Sequence, residues 1–281
     1  MKITNKMGLP EPLVEKARMS EDVDPKKIRV TSLLNGTREY LLKKRHWDEI
    51  EVDVSDMIWL LFGTAVHYML ESQKDKPGEF KEERLEMQIS NSIVTGKSDL
   101  YVDGEIIDYK TCSVWTTILR DFEKWEKQLK VYAMLWDSYG FPVKKCTVIP
   151  IMKDHKKSEA KRKVDYPPYP VDKVVFPVTK QSIAITKKWV TDKVKDIEKY
   201  ENVPDDMLPL CTPEERWNKG DKYAVMSNGK KKANKVCDSM AEAQRWMAQN
   251  KGDYIETRPG EDVKCSDYCW AKPFCNYGRD K

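Results

Sequence analysis

The sequence has no long hydrophobic run. Its longest apolar stretch is MIWLLF at residues 57–62, whereas a helix needs about 20 apolar residues to span a bilayer. The first residues, MKITNKMGLPEP, also contain no apolar segment of the signal-peptide type. We therefore expect a cytoplasmic protein with no membrane partner. Its seven cysteines are then expected to serve as thiols or metal ligands rather than to form disulfides.

Internal repeats, low-complexity tracts and a phosphate-binding P-loop are also missing from the sequence, so ATP-driven unwinding is not expected of this chain. With 34 % charged and 40 % hydrophobic residues among 281, the composition suits one large globular domain and a smaller appended one. Two basic tracts, KDHKKSEAKRK at 153–163 and KKKANK at 230–235, suit contact with a polyanion. Each tract alone is equally consistent with a solvated lysine-rich loop.

Apolar periodicity predicts the secondary structure. Helices are expected at about 31–47, 56–73, 121–140 and 179–201, with a strand near 83–89, a hairpin at 93–111 and a buried strand at 146–152. This order indicates the α/β class, with a mixed central sheet flanked by helices. The expected domains are a flexible arm (1–30), the main core (31–211), a small α/β insertion (212–263) and a cysteine-bearing C-terminal segment (264–281).

The stretch GKSDLYVDGEIIDYKT at residues 96–111 contains an Asp-Gly pair at 103–104, a strong signal for a two-residue hairpin turn. Counting outward from that turn places Asp99 directly opposite Asp108, where two like charges would repel each other. Lys110 falls on the same face as Asp108, because side chains alternate along a strand. Two carboxylates and an ammonium therefore converge, which favours a divalent cation. A solvated polar face explains the hairpin, taken alone, about equally well.

Four motifs then form a specific series. GKSD, DYKT, QLKVY and, upstream, FGTAVHYMLE together resemble the RecB-like branch of the PD-(D/E)XK nucleases. The C-terminal cysteines look like the metal cluster of AddB-type and CRISPR-associated RecB-like exonucleases, whose solo members are common in phages. The resemblance implies a restriction-endonuclease-like fold and a metal-dependent DNA exonuclease in recombination, repair or phage DNA metabolism. It further implies DNA, single-stranded or at duplex ends, as partner, together with phage or host recombination proteins in a bacterial cytoplasm.

The resemblance also assigns roles to residues of the site. It implies that Mg²⁺ or Mn²⁺ is held by His67, Asp99, Asp108 and the carbonyl of Tyr109, since two carboxylates suit a hard cation and an imidazole suits manganese. Lys110 is the expected catalytic lysine, which orients the attacking water and offsets phosphate charge. A single helical histidine is more often a capping or core residue, but Gly63 and His67 share one helical face.

Gln128 and Tyr132 lie one turn apart on the predicted helix at 121–140. In the resembled family this pair lies near the active site and helps to position DNA. The alternative is that Tyr132 belongs to the hydrophobic core. A glutamine beside a buried stripe needs a hydrogen-bond partner, which favours the substrate-binding role.

The cysteines at the C-terminus, Cys265, Cys269 and Cys275, lie within CSDYCWAKPFC, and Cys211 is the expected fourth ligand. Iron–sulfur clusters are held by such closely spaced thiolates, often with one remote ligand. On the family resemblance we expect a [4Fe–4S] cluster, with a Cys₄ zinc site as the alternative. The spacing C-x-x-x-C departs from the C-x-x-C of the AddB-type pattern.

Two other functions remain open. A non-catalytic DNA-binding module could keep the same fold, although it would be expected to have lost one of His67, Asp99, Asp108 and Lys110, which are all present. An RNA nuclease would need the same acidic residues and lysine.

Overall fold

The computed structural model describes residues 1–19, 26–74 and 76–280. Its internal contacts divide the chain into a first unit, Met1–Val203, and a second unit, Pro204–Lys281. The division falls before the boundary expected after residue 211. Within the described residues, none of the helices has both the length and the apolar character that crossing a membrane requires.

The first unit alternates strands and helices. Its strands are β1 (Lys2–Thr4), β2 (Lys27–Arg29), β3 (Glu51–Asp53), β4 (Glu79–Lys81), β5 (Arg84–Ile89), β6 (Ser92–Lys97), β7 (Leu100–Val102), β8 (Glu105–Cys112), β9 (Lys145–Met152) and β10 (Val174–Pro177). Its helices are α1 (Glu11–Arg18), α2 (Val30–Leu33), α3 (Thr37–Arg45), α4 (Ile58–Glu71), α5 (Val114–Ile118), α6 (Glu123–Ser138), α7 (Lys157–Ala160) and α8 (Lys180–Tyr200).

The central sheet has the strand order β10-β9-β8-β7-β4, in which β8 and β9 are parallel and the other neighbours antiparallel. A second sheet has the order β2-β6-β5. Helix α6 contacts strands of both sheets as well as α8, and it buries Leu129, Leu135 and Trp136 there. The predicted α/β class, a mixed sheet flanked by helices, is confirmed.

The β7–β8 hairpin has the predicted register, with Leu100 opposite Ile107. Both turn residues, Asp103 and Gly104, have positive φ, as a type I′ turn requires. The ladder ends at Leu100, however, and β6 leaves the hairpin to pair with β5 and β2. Asp99 therefore lies in the short connection between β6 and β7 rather than within a continuous strand.

The helix predicted at 31–47 is interrupted. Helix α2 ends at Leu33, and α3 starts at Thr37 after Gly36, whose ψ of 144° is extended. Asn-Gly is a strong turn signal, and here it outweighs the leucine periodicity on either side.

The segment predicted as a flexible arm contains regular elements. β1 pairs in parallel with β3, and α1 buries Val14 and Ala17. The carboxylate of Asp53 ties this segment to the chain before α4, since it accepts hydrogen bonds from Thr4, Lys6 and Ser55. Residues 20–25 of the predicted arm lie outside the described residues.

The second unit contains β11 (Lys222–Met226), β12 (Lys235–Cys237), α9 (Met240–Gln249) and β13 (Tyr254–Arg258). The three strands form an antiparallel sheet in the order β12-β11-β13, and Ala243 of α9 packs against Val225 and Cys237. Ser239 caps α9, since its hydroxyl accepts the N–H of Glu242, and the Glu242 carboxylate accepts the N–H of Asp238.

Candidate metal centre

The first unit contains a cleft of about 470 Å³ lined by residues of α4, β6, β8 and α6. The predicted site side chains that it brings together are those of His67, Asp99, Asp108, Lys110, Gln128 and Tyr132. The motifs at residues 63–67, 96–99, 108–111 and 128–132 are far apart in sequence, so the fold is what gathers them.

Asp108 lies on β8, in the middle of the sheet, and is 1 % exposed. The Lys110 ammonium lies 2.8 Å from its Oδ2, yet Oδ2 has no well-aligned hydrogen-bond donor among the described residues. The contact is therefore an ion pair with hydrogen-bonding capacity to spare. Burial, with a contribution from the Asp99 charge, raises the pKa of Asp108 to about 6, although Lys110 opposes the shift.

Lys110 remains an ammonium in this environment. Burial works to lower its pKa, but the carboxylates of Asp108, Asp99 and Glu82 outweigh that effect, and the pKa of Lys110 is raised. Lys110 is therefore a positive charge beside Asp108.

Asp99 is held by two contacts. Its Oδ2 accepts the backbone N–H of Tyr109 at 2.7 Å, and its Oδ1 lies 3.1 Å from Nδ1 of His67 on α4. That hydrogen bond raises the pKa of His67, against the effect of burial. Helix α4 packs closely on β8 at Gly63, as the space around this glycine shows. A Cβ there would lie only 3.3 Å from the Thr111 hydroxyl. Gly63 thus brings His67 within reach of the hairpin.

Glu82 is a further candidate ligand, and it belongs to none of the sequence motifs. One ligand atom each of His67, Glu82 and Asp99 lies within 4.8 Å of the other two, as is needed around a single ion. Glu82 follows β4, whose last residue, Lys81, pairs with Leu100. The pairing places Glu82 beside Asp99, so a long-range contact rather than a motif defines this part of the site. Burial raises the pKa of Glu82, although Lys97 opposes the shift.

Gln128 and Tyr132 are both buried on α6, and the Gln128 amide donates a 2.9 Å hydrogen bond to the Tyr132 hydroxyl. Gly96, the glycine of GKSD, packs beneath them. A Cβ there would lie 2.8 Å from Cε1 of Tyr132 and 2.7 Å from Val30, closer than atoms pack. The motif therefore needs glycine for the approach of β6 to α6.

The donor set fits a hard divalent cation. Carboxylate oxygens suit Mg²⁺ and Mn²⁺, and an imidazole ligand favours Mn²⁺. The buried, incompletely hydrogen-bonded oxygen of Asp108 lines the same cleft as His67 and Asp99. The Tyr109 carbonyl stays a predicted ligand, and so does Asp108, which lies outside the group within 4.8 Å.

The four predicted cluster cysteines, Cys211, Cys265, Cys269 and Cys275, all belong to the second unit. Cys275 is buried, and its Sγ accepts the N–H of Gly278 at 3.3 Å. Sulfur ligands of one tetrahedral zinc ion lie about 3.8 Å apart, given Zn–S bonds of about 2.3 Å. Among the described residues, the cysteines form no group of three or more with sulfurs within 4.8 Å.

No protein-family model matches this chain, and no curated protein does. Among solved structures, the protein SSO0001 is similar with a TM-score of 0.47 and 15 % identity, over 69 % of this chain and 85 % of that one. An alkaline exonuclease, LHK-Exo from Laribacter hongkongensis, has a TM-score of 0.40 and 12 % identity, over 63 % and 90 %. A phage-related exonuclease from Haemophilus somnus 129PT has a TM-score of 0.37 and 12 % identity, over 62 % of this chain and 93 % of that one. Similarities this distant assign no activity to the present chain.

Proposed function

We propose that this chain is a divalent-cation-dependent nuclease of the RecB-like PD-(D/E)XK type that hydrolyses phosphodiester bonds in DNA, as an exonuclease. One observation carries the proposal. The buried Asp108–Lys110 pair lines the same cleft as the three potential ligands His67, Glu82 and Asp99. An acidic group that can bind a cation and a lysine that stays charged are the parts needed for hydrolysis at a phosphate.

Each residue has a distinct role in this proposal. Asp99 and Asp108, with His67, hold Mg²⁺ or Mn²⁺. When bound there, the ion would polarise the scissile phosphate and lower the pKa of the attacking water. Lys110, kept as an ammonium by its neighbours, stabilises the negative charge that develops on the phosphate oxygens. The hydrogen-bonded pair of Gln128 and Tyr132 forms the cleft wall and helps to position the substrate.

The lining of the cleft also suits a nucleic acid. Arg29, Arg84 and Lys97 contribute basic side chains to it, which can neutralise phosphates. Trp59 of α4 is 62 % exposed at the same cleft, and its ring has Lys153 3.7 Å from the centroid. An exposed indole beside basic groups is the combination on which unpaired bases stack. A single strand, or the frayed end of a duplex, therefore matches the cleft.

For the second unit we propose a structural [4Fe–4S] cluster on Cys211, Cys265, Cys269 and Cys275. The preference for a cluster over one zinc ion rests on the resemblance to the AddB-type exonucleases, since the cysteines among the described residues form no group of three with sulfurs within 4.8 Å. The N–H···S hydrogen bond from Gly278 to Cys275 is of the kind that tunes such clusters. Zinc remains the alternative.

The proposal is tested by incubating labelled single-stranded DNA, duplex DNA and RNA with the protein and Mg²⁺ or Mn²⁺. We expect cation-dependent cleavage of DNA that Asp108→Asn lowers at least about 10²-fold. Asp103→Asn is the matched control. It makes the same change in the same hairpin, at an exposed turn residue whose positive φ suits asparagine.

Other outcomes would select the alternatives. Cleavage of RNA alone would indicate an RNA nuclease. Binding of DNA without cleavage under either cation would indicate a non-catalytic module. Equal activity of Asp108→Asn and Asp103→Asn would contradict the proposed site itself.

A further inference from the structure

Glu82 is positioned at the cleft by its backbone. It lies between β4 and β5 with φ +50°, and its N–H donates to the Asp99 carbonyl at 3.1 Å. Its side chain is only 11 % exposed, and one of its carboxylate oxygens lies within 4.8 Å of ligand atoms of His67 and Asp99. The carboxylate is thus turned toward Asp99 although like charges repel.

A positive charge offsets this repulsion. The Lys97 ammonium forms an ion pair with the Glu82 carboxylate, and the Lys97 side chain, 33 % exposed, lines the same cleft. Lys97 is therefore placed where a cation shared by Glu82 and Asp99 would also act. A second ammonium, that of Lys110, pairs with Asp108 in the same way. Two of the three acidic groups in the cleft, Glu82 and Asp108, thus have a lysine as counter-charge, whereas Asp99 pairs with His67.

The Asp108 carboxylate gives independent evidence that the cleft is built for a ligand. Its Oδ2 is buried and lacks a well-aligned donor among the described residues, and it faces the cleft that Glu82 lines. A buried carboxylate oxygen with unused hydrogen-bonding capacity is costly unless something else completes it. A divalent cation would bind this oxygen, and it would also replace Lys97 and Lys110 as the positive charge beside the carboxylates.

We propose that Glu82 is a further carboxylate of the cation site, and that its ion pair with Lys97 exchanges for the cation when the ion binds. Lys97 then leaves Glu82 and contacts a substrate phosphate in the cleft. This inference rests on the proposed function. It adds a ligand that the sequence motifs do not contain, and it makes Lys97 a competitor of the cation and a partner of the substrate.

A purely structural ion pair would behave differently. If Glu82 and Lys97 only stabilise the turn, removing either charge leaves cation affinity unchanged. If the two exchange with the cation, the two substitutions act in opposite directions. Removing Glu82 weakens cation binding, and removing Lys97 strengthens it because the competing ammonium is gone.

The test is calorimetric titration of the full chain with MnCl₂, without nucleic acid. Glu82→Gln should lower Mn²⁺ affinity about 10- to 100-fold, as loss of a group that supports a metal site does. Glu83→Gln is the matched control, because Glu83 is the exposed neighbour of Glu82. This variant should bind Mn²⁺ as the wild type does. Lys97→Gln should raise the affinity several-fold. Glu82→Gly offers a second variant, since φ +50° suits glycine.

The outcomes separate this inference from the proposed function. If Asp99→Asn abolishes Mn²⁺ binding while Glu82→Gln and Glu82→Gly bind as the wild type does, the role of Glu82 is wrong and the cation site stands. An unchanged affinity in Lys97→Gln would overturn the exchange. If the wild type itself binds no Mn²⁺, the cation site of the proposed function is wrong, and the inference falls with it.

Discussion

The Lys110 ammonium lies 2.8 Å from Oδ2 of Asp108, a carboxylate that is 1 % exposed. Burial of such a carboxylate without a partner would cost several kcal/mol, so the lysine makes the ionised form tolerable at the centre of the sheet. The carboxylate in turn holds the ammonium in the cleft. The two residues therefore hold each other in place, yet substitution of Lys110 and substitution of Asp108 should have different effects on cation binding.

Lys110→Ala should slow cleavage strongly while retaining cation binding. Loss of the ammonium removes stabilisation of phosphate charge, which we expect to cost about 10²–10³-fold in kcat. Mn²⁺ affinity should stay the same or rise, because the competing charge beside Asp108 is gone. Single-turnover cleavage and calorimetry measure the two effects on the same preparation.

Lys145→Ala is the control for that experiment. Lys145 lies on the neighbouring strand β9 and pairs with Glu105 at 2.8 Å. The Lys145→Ala variant therefore loses a lysine–carboxylate ion pair outside the cleft. It should cleave as the wild type does. Near-wild-type cleavage by Lys110→Ala would contradict the assigned role.

The buried pair of Gln128 and Tyr132 gives a second prediction. Tyr132→Phe leaves the Gln128 amide without its acceptor, and Gln128→Leu leaves the hydroxyl without its donor. Each should lower the free energy of unfolding by about 1–3 kcal/mol, and the double variant should lose less than the sum. If the pair positions substrate, KM should rise more than kcat falls.

Urea denaturation and steady-state kinetics test both parts of this prediction. Tyr169→Phe, at an exposed tyrosine of the same unit, should change neither stability nor KM appreciably. Additive losses in the double variant would show that the hydrogen bond does not couple the two residues.

The sequence predicts the placement of those candidate residues whose positions depend on local chain geometry. The Asp-Gly turn set the register of β7 against β8, and helical spacing put His67 on the face of α4 that approaches β8. The position of Glu82 could not be predicted from the sequence, because its segment FKEER has the composition of a polar surface loop. Only the pairing of Lys81 with Leu100 brings it to Asp99. The break in the helix predicted at 31–47 could have been predicted, because Asn35-Gly36 is a turn signal. The leucine periodicity on either side of it favoured one continuous helix instead.

The Asp53 carboxylate predicts how stability depends on pH. The N–H of Lys6, followed by the Ser55 hydroxyl and N–H and the Thr4 hydroxyl, holds the pKa of Asp53 well below its usual range. A lowered pKa stabilises the fold fully above the ordinary value of about 3.9, and this contribution is lost progressively as pH falls from there toward the lowered pKa. Asp53→Asn should therefore lower Tm at pH 7, and its difference from the wild type should narrow toward pH 3.

Asp56→Asn, at an exposed position three residues on, is the matched control for thermal unfolding at both pH values. It should track the wild type throughout. A Tm difference for Asp53→Asn that stayed constant from pH 7 to pH 3 would mean that its charge does not stabilise the N-terminal elements.

Two buried cysteines of the second unit should separate a cluster ligand from a packing residue. Cys275 lies in the C-terminal segment and accepts the Gly278 N–H, whereas Cys237 packs against Val225 and Ala243 in the sheet core. Cys275→Ser should abolish bound iron and acid-labile sulfide, and with them visible absorbance at roughly 400 nm. Cys237→Ser should keep the iron and lose only stability, because a hydroxyl replaces a buried thiol. Stoichiometric zinc in colourless, anaerobically purified wild type would select the zinc site instead, and iron retained in Cys275→Ser would remove that residue from the ligand set.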